Sequence, residues 1–290
     1  TRCFLELIRL AEFTKEQLGV DQAYFDEFCA ANPTPIQVVG LKHTNLKKES
    51  EKIRNRADLD KEAIPTESGN VDLSKLDHIQ FAHLHNHTQF SVLQSTTQIE
   101  DIIKVAAKDR MSAIALTDSG NMMASFRFVS AILSHNKKAA QLNEISETKG
   151  EAPTQTILKP IVGCEFNVCE DHLDKTKKDN GYQIVLLAKT KKGYYNLAKM
   201  SSISFIDGFY YVPRIDKKVI EQFKEDIIVL TGNIYGEVPS KILNVGEKQA
   251  EDAFLWWQKQ FKDDFYVELM RHHQEEERVV NETLVKFARK

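Results

Sequence analysis

The chain has 290 residues, 42% hydrophobic and 28% charged, an ordinary globular composition with room for one large domain and a smaller appendage. Its formal net charge of -3, with the two signs interspersed, excludes a chain that grips nucleic acid through bulk charge, and no run approaches the ~20 apolar residues of a membrane span. The four cysteines, Cys3, Cys29, Cys164 and Cys169, form no CxxC pair and no secreted-scaffold spacing, so a reducing compartment such as the cytoplasm is expected. The chain opens Thr-Arg-Cys-Phe inside an amphipathic pattern, without Met or a signal peptide, and reads as an excerpt of a longer protein.

In chain order, helical spacing over 1–30 places Phe4, Leu7, Ile8, Leu10 and Ala11 on one face, followed by Tyr24, Phe25 and Phe28. Two short helices are predicted, the second stopped by Asn32-Pro33-Thr34-Pro35. The stretch 1–41 is therefore taken as a helical segment. Residues 42–78, rich in Lys, Glu, Asp, Asn and Ser, cannot bury enough apolar surface to offset ordering entropy and read as a charged linker with a solvated helix over 47–59. From 79 to 290 apolar strands alternate with amphipathic helices.

Within that region the spacing predicts a strand over 81–87, then a helix from a Thr96 or Thr97 cap to about 110 with Ile99, Ile102, Ile103, Ala106 and Ala107 inward. A buried strand follows over 112–118, a helix over 122–139, and a polar surface insertion over 141–156. Strands over 160–168 and 182–188 flank a charged loop, 170–181. Next come a helix over 194–206, a strand over 226–231, and a helix from 247 carrying Ala250, Phe254, Trp257 and Phe261. A strand over 265–270 and a helix over 275–289 complete the order. Such alternation argues an α/β fold with a parallel sheet, open or closed into a barrel.

The chemistry centres on Phe81-Ala82-His83-Leu84-His85-Asn86-His87. On a strand, successive side chains alternate between faces, so His83, His85 and His87 would all point one way, as metal ligands do; the plain alternative is a polar strand face satisfied by hydrogen bonds. Sites in such folds gather where strands end. His85, His87, Asp118, Glu165 and His272 all fall there, and these N/O donors could hold one or two divalent ions and activate water on a phosphoester. Each alone has a duller reading: Asp118 a helix cap, Glu165 a strand-edge charge, His272 and His273 exposed loop residues.

The same residues carry a resemblance. His83-Leu84-His85-Asn86-His87-Thr88-Gln89-Phe90-Ser91, Ala115-Leu116-Thr117-Asp118-Ser119-Gly120-Asn121, Lys159-Pro160-Ile161-Val162-Gly163-Cys164-Glu165, Leu186-Leu187-Ala188-Lys189 with Gly193-Tyr194-Tyr195-Asn196-Leu197, and Gly208-Phe209-Tyr210-Tyr211-Val212-Pro213-Arg214-Ile215-Asp216 resemble, in order, the PHP domain that opens the bacterial DNA polymerase III alpha subunit. The resemblance covers about 79–290. It implies a distorted (β/α)7 barrel with a divalent metal (Zn or Mn/Mg) at its strand ends, in some members supporting 3'-5' hydrolysis. It also implies partners: the rest of a polymerase chain, DNA through that parent, an exonuclease domain or subunit and other replisome subunits.

The chain departs from the family pattern at four positions where a metal ligand is expected: Gln94, Ser119, Gln183 and Asn233. Amides and hydroxyls are poor ligands for borderline metals. The family's last motif, Asp-x-His, would lie beyond Lys290, so the barrel is expected to be incomplete at its C-terminus. The resemblance then implies a structural module with a degenerate site at His85, His87, Glu165 and His272, with a metal-dependent 3'-5' exonuclease or phosphoesterase as the alternative. Thr1-Arg2-Cys3-Phe4-Leu5-Glu6-Leu7 is also similar to the helix after the last catalytic motif of DnaQ-type exonucleases, which implies an exonuclease fused ahead of the PHP domain, with 1–41 as its tail.

Overall fold

The computed structural model describes residues 81–272 and 274–290. The helices expected over 1–30 and the linker over 42–78 lie outside the described residues. What is described is a mixed α/β unit: α1 (Ile99–Lys108), β1 (Ala113–Leu116), α2 (Ser125–Thr148), β2 (Lys159–Cys169), β3 (Tyr182–Ala188), α3 (Lys191–Ile206), β4 (Arg214–Asp216), α4 (Lys217–Phe223), β5 (Ile227–Leu230), α5 (Glu237–Asn244), α6 (Glu247–Phe261), β6 (Phe265–Tyr266) and α7 (Glu275–Arg289). Among the described residues no helix is long and apolar enough to cross a membrane.

The sheet runs β1-β2-β3-β5-β6, with β4 also on β2. It is not the all-parallel sheet expected. β1/β2, β2/β4 and β5/β6 are parallel, whereas β2/β3 and β3/β5 are antiparallel. The physical reason lies in residues 170–181, which contain no helix: without a crossover the chain returns antiparallel to the strand it left. Long β2 pairs with β3 along one edge, and with β1 and then β4 along the other.

Strand periodicity sorts the core. On β3, Ile184 and Leu186 face the helices, packing with Leu197, Met200, Phe254 and Trp257. Val185 and Leu187 face the opposite side with Ala115, Leu230, Ile161 and Ile228. Glu165 pairs in register with Val185, so its carboxylate stands on this inner, helix-free face.

Several expectations need correction. The 81–87 stretch is extended but not a ladder strand: Ala115 N donates to His83 O and Thr117 N to Asn86 O (each 2.9 Å), while Asn86 N bonds the Thr117 hydroxyl (2.8 Å) and Asn86 Nδ2 bonds Ala115 O (3.1 Å). Side chains have replaced ladder bonds. α1 has no threonine cap; Gln98 precedes it without a side-chain cap bond. α2 continues to Thr148 through residues expected to be an insertion, because the side chain of Asn143 holds the following loop: Oδ1 accepts from Thr154 N and Gln155 N, and Nδ2 donates to Gln155 O. β4, α4 and α5 were not anticipated; β4 has three residues and α4 and α5 seven and eight, too short for a periodic signal. The 265–270 strand shortens to two residues.

Candidate metal centre

The donors are delivered by separate stretches of chain that meet at one end of the sheet. His85 and His87 come from the extended 81–87 segment beside β1, and Glu165 from the middle of β2. The segment after β6 supplies Glu268, whose N–H donates to Thr231 Oγ1 (2.8 Å) at the end of β5. His85 Nε2 lies 3.1 Å from Glu165 Oε2, and His85 Nδ1 lies 2.8 Å from Glu268 Oε1. His87 Nε2 is 3.6 Å from Glu165 Oε1, beyond a good hydrogen bond. Both of those atoms are buried without a hydrogen-bond partner among the described residues. Ligand atoms for His85, His87 and Glu165 fall within 4.8 Å of one another.

This donor set fits a divalent ion. Two imidazoles and a carboxylate are borderline-metal ligands, and an ion held by them would satisfy two buried atoms that otherwise cost stability.

The other residues singled out from sequence sit elsewhere. Asp118, 1% exposed, has both oxygens engaged: Thr88 N–H (2.6 Å) and the Ser91 hydroxyl (2.7 Å) donate to Oδ1, and the Thr88 hydroxyl (2.7 Å) donates to Oδ2. It fixes the turn that follows the histidines and is not in the donor cluster. Gly120, at φ +69°, lets the chain bend so that its N–H reaches Glu165 O (2.7 Å) and holds β2 beside that turn. His272 lines the same cavity as His85, but its Nδ1 is turned to Glu277, the acidic start of α7. His83 is exposed, meets Phe81 edge-on and is not in the converging donor group.

The substituted positions also have visible roles. Asn233 Nδ2 donates to Gln183 Oε1 (2.8 Å), so two positions where ligands were expected satisfy each other as a neutral amide pair. Ser119 N–H donates to Ser91 Oγ (3.0 Å), and Gln94 is exposed. Sequence reasoning missed Glu268, Thr88 and Ser91. A lone carboxylate in the apolar run Phe265-Tyr266-Val267-Glu268-Leu269-Met270 was the available signal for the first.

Electrostatics follow from the geometry. Burial opposes charge on His85, but the hydrogen bonds and charges of Glu165 and Glu268 outweigh it and raise its pKa to about 9. Burial likewise opposes charge on Glu165, and the two histidines overcome it, drawing that pKa down to about 2. In ion-free protein, stability from charged His85 is complete below its ordinary 6.5 and lost as pH rises through about 9. Stability from Glu165 is complete above its ordinary 4.5 and lost as pH falls through about 2. In chelator, the Tm difference between wild type and His85→Gln is therefore expected to be largest between these ordinary values and to shrink above pH 9; a difference that grew with pH would contradict the assignment. Because an ion must displace the His85 proton, binding should weaken about tenfold per pH unit below that pKa.

A mixed α/β sheet carrying paired histidines beside a strand-borne carboxylate defines the class, and the chain belongs to the PHP domain family, whose model matches residues 83–272. The similar proteins include the DNA polymerase III subunit alpha of Borreliella burgdorferi, 38% identical over 214 residues, covering 72% of this chain and 17% of that protein. Those of Aquifex aeolicus (34% over 224 residues, 72% and 17%) and Thermus aquaticus (33% over 219 residues, 73% and 16%) are comparable. The chain thus spans about a sixth of the length of these relatives.

Proposed function

We propose that this chain is the PHP module of a replicative DNA polymerase III alpha subunit, in which the module braces the polymerase and holds one divalent ion without hydrolysing DNA. On this reading residues 79–290 form the module as a distorted (β/α)7 barrel, 42–78 is a linker, and 1–41 is the tail of a fused exonuclease. The setting is the cytoplasm, and the partners are the rest of the polymerase chain, DNA through that parent, the exonuclease and other replisome subunits. The relatives described above, each named as an alpha subunit, support the polymerase setting. The contact between His85, on the segment beside β1, and Glu268, just after β6, supports the barrel, because it joins the two ends of the sheet order.

The observation that carries the non-hydrolytic reading is the small donor set. His85, His87 and Glu165 converge, while Asp118 is consumed by Thr88 and Ser91, His272 by Glu277, and Gln183 by Asn233. A bound divalent ion supplies Lewis acidity and a lowered pKa for its water, the chemistry of phosphoester hydrolysis. What the residues here would do is narrower: His85 and His87 would offer ring nitrogens and Glu165 a carboxylate to the ion. Among the described residues too few groups converge to place a nucleophile, a scissile phosphate and a leaving oxygen together.

The alternative, a metal-dependent 3'-5' exonuclease or phosphoesterase, draws on the unpartnered His87 Nε2 and Glu165 Oε1. Full-length protein with any fused exonuclease disabled separates the two on a 3'-mismatched primer with Zn²⁺ or Mn²⁺. The expected result is no cleavage that depends on His85; cleavage abolished by His85→Ala would reject the structural reading.

A further inference from the structure

We propose that Glu268 is the positioning residue for His85: it fixes the ring and its tautomer so that Nε2, and not Nδ1, is offered to the ion. The proposal rests on the reading that His85, His87 and Glu165 hold that ion. The two nitrogens of an imidazole point to opposite sides of the ring. With Glu268 Oε1 at 2.8 Å from Nδ1 and Glu165 Oε2 at 3.1 Å from Nε2, the ring is strung between two carboxylates. Only the Glu165 side opens toward His87 Nε2 and the unpartnered Glu165 Oε1. Glu268 therefore does not ligate; it accepts the Nδ1–H hydrogen bond and leaves the Nε2 lone pair for the ion, raising the basicity of the ligand as carboxylates behind metal-bound imidazoles do.

Glu268 is itself held in place. Its N–H donates to the buried Thr231 hydroxyl, and Thr231 N–H donates to Tyr266 O (3.1 Å), so the carboxylate is carried by an extension of the β5–β6 pairing rather than by a free loop. Its side chain is only 14% exposed, and Oε2 is buried with no partner among the described residues. Such a carboxylate is costly to keep for the sake of one ion pair closing the sheet. Setting the direction of His85 accounts for it.

The test is Zn²⁺ affinity, measured by competition with a chromophoric chelator, for the full chain as wild type, Glu268→Gln, Glu268→Ala and His85→Ala, with the visible spectrum of the Co²⁺ form alongside. A positioning role predicts the wild-type stoichiometry in both Glu268 variants, affinity about 10–100-fold weaker in Glu268→Ala, a smaller loss in Glu268→Gln, which keeps an acceptor, and a shifted Co²⁺ spectrum. A purely structural pair would alter melting but leave affinity and spectrum unchanged, and that result in Glu268→Gln alone overturns the proposal even if Glu268→Ala does not fold. Wild type that binds no Zn²⁺ overturns instead the reading on which the proposal rests.

Discussion

Asp118→Ala is expected to lower the unfolding free energy by about 3–5 kcal/mol, read as a shift of the denaturant midpoint at unchanged slope. The side chain is 1% exposed and satisfies a main-chain N–H and two hydroxyls, all from the Thr88–Ser91 turn. Truncation strands those donors where water does not reach: Thr88 is 0% and Ser91 1% exposed. An unmet buried donor costs about 1–3 kcal/mol, and hydroxyls recover part of that by rotating, which sets the range. Asp118→Asn keeps one acceptor oxygen and should lose about half as much. Because the turn fixes where His85 and His87 point, Zn²⁺ affinity should fall with stability. Stability near wild type in Asp118→Ala would mean that the carboxylate is not what holds the turn.

Arg214→Met is expected to cost about 3–4 kcal/mol and to expose the 170–181 loop to proteolysis. The guanidinium is 0% exposed, and among the described residues its hydrogen bonds go to main-chain carbonyls: Nε to Gly208 O (3.0 Å), Nη1 to Asp179 O (2.8 Å), and Nη2 to Asp174 O (3.0 Å) and His172 O (3.3 Å). The loop has no strand or helix of its own, so the planar fork stands in for a ladder. Asp216, two residues on, adds a second tie by accepting from Val219 N–H at the start of α4 (3.0 Å) and pairing with His172 Nδ1 (2.6 Å). Lysine keeps the charge but cannot span those carbonyls with one ammonium, so Arg214→Lys should recover little. A loop as resistant to protease in Arg214→Met as in wild type would contradict this account.

Much of the fold was legible because its strands alternate strongly and its longer helices carry apolar stripes. β3 and α7 match the expected bounds to within a residue, and Ala250, Phe254, Trp257 and Phe261 on α6 are buried as their spacing implied. The sheet's mixed direction was legible in principle from the helix-free 170–181 connection. β4, α4 and α5 were not, since elements this short carry no period and form only against neighbours already in place. At the site, a spacing of two brings His85 and His87 to one donor group with Glu165, while His83, two residues earlier, is exposed and outside it. Asp118 and Glu165 look alike in sequence. Only tertiary hydrogen bonding separates the carboxylate that organises the turn from the one that faces the histidines.

The central claim, one ion held by three residues, is tested most directly by elemental analysis of full-length protein after saturation with Zn²⁺ and removal of excess metal, compared with His85→Ala. The account predicts about one ion per chain at this site in wild type and its loss in the variant. No bound ion, or three that all depend on His85, would contradict it.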